Sequence, residues 1–145
     1  MNKLKKKILI ISGGISKERT ISLDTGKQVA KELKKNGYRV KICEPDHELI
    51  NKTKTFKPQV IFNALHGQFG EDGYIQSILE TIGIPYTHSG IISSAMAMDK
   101  EISKKIFLKN KILTPRYFVY SFDKSNKKLI DKIQKELHFP VVIKP

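Results

Sequence analysis

Cysteine is nearly absent from this sequence of 145 residues: Cys43 stands alone. No intrachain disulfide can form, and a cytoplasmic, reducing compartment is the expectation. Long apolar runs are missing too. No stretch approaches the roughly 20 residues of a membrane span. The N-terminus passes from lysines straight into Ile8-Leu9-Ile10-Ile11, too short a core for a signal peptide. No membrane partner is expected. Arginine is scarce: Arg19, Arg39 and Arg116 are the only three, and every other basic residue is a lysine. The net charge of +13 invites a nucleic-acid reading. Base readout leans on the arginine fork, and single-strand grooves interleave aromatic rings with basic residues. Neither pattern is present, so the lysines read as a solvated surface and no nucleic-acid partner is expected.

What the chain does have is a βα alternation. A chain of this length can bury roughly 68–70% of its unfolded surface, enough for one domain. Lys5 to Ser12 reads as a first strand, continuously apolar at its centre as a parallel strand covered on both faces would be. Gly13-Gly14 lets the backbone turn. A helix is predicted after Ser22, with Gly26, Val29, Ala30 and Leu33 on one face and Gly37 past its end. Tyr38 to Cys43 is a second strand. Residues 47–58 are ambiguous, with a short helix among the options.

The most informative stretch follows the apolar run Gln59–Leu65. It is His66-Gly67-Gln68-Phe69-Gly70-Glu71-Asp72-Gly73. Behind it Ile75, Ile78, Leu79 and Ile82 recur at helical spacing, and Gly83 can end that helix. Asp72 stands where an N-cap belongs. Three glycines and three side chains that titrate or cap, between a strand and a helix, describe a functional loop at the carboxyl end of a sheet strand. Capping alone accounts for Asp72 and one glycine, not for His66 and Glu71 as well.

Ile84-Pro85-Tyr86 is predicted as a fourth strand, and the small-residue run Ser93–Ala97 suits close helix packing. A boundary is placed near Met98. Beyond it Asp99 can cap a helix carrying Ile102, Ile106 and Phe107. Tyr117–Tyr120 reads as a strand. Ser125 can cap a further helix with Ile130, Ile133 and Leu137 inward, and Pro140–Pro145 opens another strand. The order implies right-handed crossovers and a three-layer parallel α/β domain over residues 1–98, then a thin core over 99–145 that looks cut in mid-domain.

The glycine turn after the first strand could cradle an anion on its N–H groups. A dinucleotide fingerprint would need a third glycine at the right spacing; Glu44 at the end of strand two keeps a Rossmann-like nucleotide-binding domain as an alternative. A P-loop is excluded, because no glycine-lysine-serine/threonine triplet exists.

His66–Gly73 followed by Tyr74-Ile75-Gln76 resembles the N-terminal signature of the D-alanine–D-alanine ligases, members of the ATP-grasp superfamily. Ile11-Ser12-Gly13-Gly14-Ile15-Ser16-Lys17-Glu18-Arg19 is similar to the family's first loop. Ile84–Gly90 and Ser94–Lys100 are similar to its passage into the ATP-binding domain. The resemblance runs from Lys7 to Pro145. It implies a pre-ATP-grasp substrate-binding domain (residues 1–98) and the beginning of an ATP-grasp domain (99–145). It also implies ATP-dependent joining of two D-alanines for peptidoglycan synthesis.

By that resemblance Glu18 is the catalytic and substrate-binding acid, meeting the ammonium of the first D-alanine, and His66 and Gly67 join it. Lys100 and Lys144 face the phosphates of ATP. Gly13, Gly14, Gly70, Glu71, Asp72 and Gly73 shape the loops. Thr20 replaces the second acid usual after the arginine. Mg2+ or Mn2+ is implied with its ligands beyond residue 145, none in this chain, and a homodimer through the N-terminal domain is implied. The 145 residues alone are expected to be inactive. The alternatives are a truncated, non-catalytic α/β module and the Rossmann-like domain.

Overall fold

The computed structural model of the chain describes residues 6–121 and 126–144. The chain folds as two compact units, Met1–Met98 and Asp99–Pro145.

The first unit is built on strand β1 (Lys7–Ile11). It pairs in parallel with β2 (Arg39–Cys43) on one edge and β3 (Val60–Asn63) on the other, giving the order β2-β1-β3. Leu9, Ile10 and Ile11 are fully buried, as a central strand covered on both faces demands. Each such side chain is worth about 1.5–3 kcal/mol in burial. Alternation sorts them by face. Ile8 and Ile10 pack with Ala30, Val29 and Leu33 of α1 (Arg19–Lys35). Leu9 and Ile11 pack with Leu49 of α2 (Leu49–Phe56) and Ile75 and Leu79 of α3 (Tyr74–Ile82). The result is a three-layer α/β domain with a parallel sheet.

Several boundaries differ from the sequence reading. Helix α1 begins at Arg19, not after Ser22, because the Ser22 hydroxyl is used in a tertiary bond rather than as a cap. Residues 49–56 resolve into α2, closed by Lys57 in the left-handed region. The predicted fourth strand is a single parallel bridge, Tyr86 to Ile61 on the outer edge of β3. Two backbone bonds make it, Ile61 N–H to Pro85 O and Thr87 N–H to Ile61 O. A one-residue bridge closes the sheet edge without extending it. Helix α4 (Ile91–Met98) packs on α3.

In the second unit α5 (Lys100–Lys109) starts at Asp99, whose carboxylate accepts the Ile102 N–H at 2.9 Å, the cap expected of it. Tyr117–Tyr120 and residues 141–144 are not strands. A strand needs a ladder partner, and none stands beside them among the described residues. Instead the ammonium of Lys104 bonds Thr114 and the Pro115 carbonyl and lies 5.0 Å from the Tyr117 ring centroid. Helix α6 (Asn126–Glu136) buries Ile133 but leaves Ile130 exposed, against expectation. Its expected cap, Ser125, lies outside the described residues.

Gly26 fixes how closely α1 lies on the sheet. A β-carbon there would stand 2.6 Å from the β-carbon and hydroxyl of Ser12. Gly26→Val should therefore destabilise the fold. Overpacking costs about 1–3 kcal/mol, against a propensity gain of only ~0.4 kcal/mol. Urea unfolding measures it, and an unchanged midpoint would show that the helix can move away freely.

Candidate functional site

Because β1 and β3 are parallel neighbours, the loops that follow them leave from the same edge of the sheet. Glu18 sits at the end of the first loop, at the N-cap position of α1, with its side chain exposed. His66 and Gly67 open the second loop. Three serine and threonine side chains join the two. Ser16 Oγ donates to the His66 carbonyl at 2.8 Å and accepts the Glu18 N–H at 3.0 Å. Ser22, fully buried, donates from Oγ to the Ala64 carbonyl at 2.7 Å and accepts the Gly13 N–H at 2.8 Å. Thr25 Oγ1 lies 3.0 Å from His66 Nε2.

Glu18 and Gly67 touch. Gly67 has φ +70°, and a β-carbon built on it would collide with the Glu18 carboxylate. Only glycine combines that backbone angle with room for the acid. The amide of Gly67 is already engaged, donating to Glu71 Oε2 at 2.8 Å. Its part is therefore space for Glu18, and its N–H is not free to meet a substrate. Glu71 thus ties the loop internally. Asp72 does the same, accepting the Phe69 N–H at 2.8 Å and the Tyr74 N–H at 3.1 Å. The N-cap of α3 is Gly73 (φ 97°) rather than Asp72, which stands one residue earlier and reaches forward to the first helical amide. The Gly70 carbonyl takes two buried bonds, from Asn63 Nδ2 and Gln76 Nε2, each at 2.9 Å.

The expected anion cradle at Gly13-Gly14 is filled from within. The Gly13 N–H goes to Ser22, and the Gly14 N–H donates to Glu44 Oε2 at 3.2 Å. The other oxygen of Glu44 pairs with Arg19. A carboxylate in that position answers the amide and the guanidinium together, so the turn is not an open phosphate nest. The same contacts engage both oxygens of Glu44, the acid that kept a Rossmann reading open. It also draws Arg19 away from Glu18: among the described residues no cation pairs with the Glu18 carboxylate.

On the α2 and α3 side of the same sheet edge lies a cavity of about 400 Å3, lined by Gly14, Ser16, Leu49, Leu65, His66 and Tyr74 among others. His66, half-buried, borders both this cavity and the Thr25 contact. Asp46 at the mouth is paired to Lys52 at 2.7 Å; the ammonium holds its carboxyl below the ordinary range, and the carboxylate holds the ammonium above its own. Burial pushes the nearby Cys43 thiol up to about 11, which keeps it protonated and inert near neutrality.

Lys100 opens α5 and Lys144 lies in the irregular segment after α6; both are exposed members of the second unit. No three His, Cys, Asp or Glu side chains converge on a possible metal position among the described residues. They do not fit a metal site.

Sequence reasoning took Ser16 only as part of the first loop and Ser22 only as the residue before the helix, and it passed over Thr25. Their signal was available: Glu18, Ser22 and Thr25 fall at i, i+4 and i+7, one polar stripe of a helix. It is visible only once the helix is started at Arg19.

Comparison with known proteins bears on this arrangement. The family model described as D-ala D-ala ligase N-terminus matches residues 43–89. The chain is 71% identical over 140 residues to the D-alanine–D-alanine ligase of Pelagibacter ubique (strain HTCC1062), covering 97% of this chain and 46% of the relative. It is 42% identical to the ligase of the same name from Moorella thermoacetica (strain ATCC 39073 / JCM 9320), covering 95% and 46%. Its fold superposes on the crystal structure of D-alanine–D-alanine ligase from Bacillus anthracis complexed with ATP, with a TM-score of 0.69 and 36% identity, over 88% of this chain and 44% of that one. The chain thus spans a little under half the length of the curated relatives it matches most fully.

The Ser22 bridge can be tested directly. Ser22→Ala leaves a buried amide and a buried carbonyl without their partner, at about 1–3 kcal/mol. Urea unfolding should report that loss, and hydrogen exchange at the Gly13 amide should speed up. Unchanged exchange at Gly13 would mean that the hydroxyl does not hold the two loops together.

Proposed function

Because this chain belongs to the D-alanine–D-alanine ligase family, we propose that its first unit holds the first amino acid for an ATP-dependent ligase of two D-alanines. One observation carries the reading: Glu18 lies exposed against Gly67, with no cation paired to its carboxylate among the described residues and its neighbouring arginine engaged elsewhere. An unneutralised carboxylate at a sheet edge suits an ammonium group, and the charge-assisted bond fixes how the amino acid lies. His66 supplies a ring N–H toward the carboxylate end of the same substrate.

In the reaction so inferred, a carboxylate oxygen of the first D-alanine attacks the γ-phosphorus of ATP and ADP departs. The amine of the second D-alanine then attacks the acyl carbon. Inorganic phosphate leaves, the nitrogen loses a proton, and the peptide bond remains. Lys100 and Lys144 are the residues we assign to the nucleotide phosphates, as part of an ATP-grasp domain that begins with the second unit; point charges there answer the negative charge that phosphoryl transfer develops. The inferred setting is the cytoplasm, with Mg2+ or Mn2+ accompanying ATP, the dipeptide entering peptidoglycan, and the first unit forming a homodimer.

Grafting tests this. Residues 1–145 are exchanged for the matching N-terminal part of the Pelagibacter ubique ligase, and phosphate release is followed with ATP and D-alanine. The chimera should turn over, whereas the 145 residues alone should not. Glu18→Gln in the chimera removes a charge-assisted bond worth about 1.5–3 kcal/mol. The KM for D-alanine should then rise at least roughly tenfold, with that for ATP unchanged. A folded but inactive chimera overturns the ligase reading. An unchanged KM for D-alanine together with unchanged turnover overturns the role of Glu18.

A further inference from the structure

Helix α1 holds the second loop along one stripe. Glu18 lies on Gly67, Ser22 bonds the Ala64 carbonyl, and Thr25 meets the ring of His66, so positions i, i+4 and i+7 of the helix address residues 67, 64 and 66. The contact to His66 differs in kind from the others, because it acts on a side chain whose hydrogen-bonding character is variable. A neutral imidazole carries its proton on one nitrogen or the other, and the partner of one nitrogen decides what the other can offer.

The direction of the Thr25 bond goes with the tautomer of the ring, and the other helical threonines show what Thr25 has free to offer. Thr53, Thr55 and Thr81 are also helical, and each donates its hydroxyl proton to the carbonyl four residues back. Thr25 makes no such bond; its Oγ1 is turned to His66 Nε2 at 3.0 Å. Its proton is therefore available to Nε2, and Ser22, one turn earlier, donates toward the same loop. Among the described residues Thr25 is the only side chain bonded to the ring of His66.

We propose that Thr25 is a positioning residue that fixes His66 as the Nδ1–H tautomer and sets its rotation, leaving Nδ1–H as the donor for a ligand carboxylate in the adjoining cavity. The inference rests on the ligase reading for the identity of that ligand, but not for the tautomer. A bare Nδ1 would turn a lone pair toward the carboxylate and repel it.

The chain labelled with 15N-histidine provides the test at alkaline pH, where the imidazoles are neutral. His66 is assigned among His47, His66, His88 and His138 by its loss in His66→Asn. Two-bond proton–nitrogen correlations should show His66 protonated on Nδ1 and bare on Nε2. Thr25→Val, which keeps the shape and removes the hydroxyl, should move His66 toward the Nε2–H form; Thr25→Ser should retain the native pattern. In the ligase chimera Thr25→Val should raise the KM for D-alanine several-fold at constant KM for ATP, and Thr25→Ser should restore it. A purely structural threonine would lower the unfolding midpoint without changing the tautomer. His66 found as Nε2–H, a spectrum unmoved by Thr25→Val, or an unmoved KM for D-alanine in that variant overturns the proposal. An inactive chimera with Thr25 intact counts against the ligase reading instead, and the spectrum still decides the role of Thr25.

Discussion

Parallel pairing of β1 with both of its neighbours is the constraint on which the site depends. Parallel strands send every following loop to the same edge, so residues 50 apart in sequence, such as Ser16 and His66, meet without any special connection. The pairing persists because β1 is buried on both faces and cannot slip. A one-residue shift would exchange the set that packs on α1 with the set that packs on α2 and α3. The register that protects the core therefore also fixes the distance between the two functional loops.

Electrostatics at that edge are arranged by pairing rather than by net charge. The chain is strongly basic, yet among the described residues no cation pairs with Glu18. Arg19 is adjacent in sequence and would be the natural partner, but Glu44 holds it from the end of β2 and takes the Gly14 amide with its other oxygen. A carboxylate without a cation partner among the described residues is suited to a cationic ligand group.

The parts legible in the sequence were those set by local pattern. Continuous apolarity marked β1, helical spacing marked α3, and the glycine–acid octet marked the loop between β3 and α3. What could not be read was tertiary. Glu44 looked like a nucleotide-binding acid because its partners, Gly14 and Arg19, are remote in sequence. Ser22 looked like a cap because its true partners, Gly13 and Ala64, lie on two other segments. Tyr117–Tyr120 has strand composition, but composition alone does not supply a neighbouring strand. The polar stripe Glu18, Ser22, Thr25 was hidden by a four-residue error in where α1 begins, which left Glu18 and Ser22 outside the expected helix.

The loop from Ala64 to Gly67 is tied at most of its polar groups: three carbonyls, three amides and an imidazole nitrogen all have partners. On the proposed reading, this matters for a ligand as small as a free amino acid. Its affinity is bounded at about 1.5 kcal/mol per non-hydrogen atom, while ordering even one flexible residue costs about 1–2 kcal/mol. A loose loop would cancel much of what so few atoms can supply. Here the entropy of the recognising segment is already lost when the domain folds, so binding a small zwitterion meets a surface with little left to freeze.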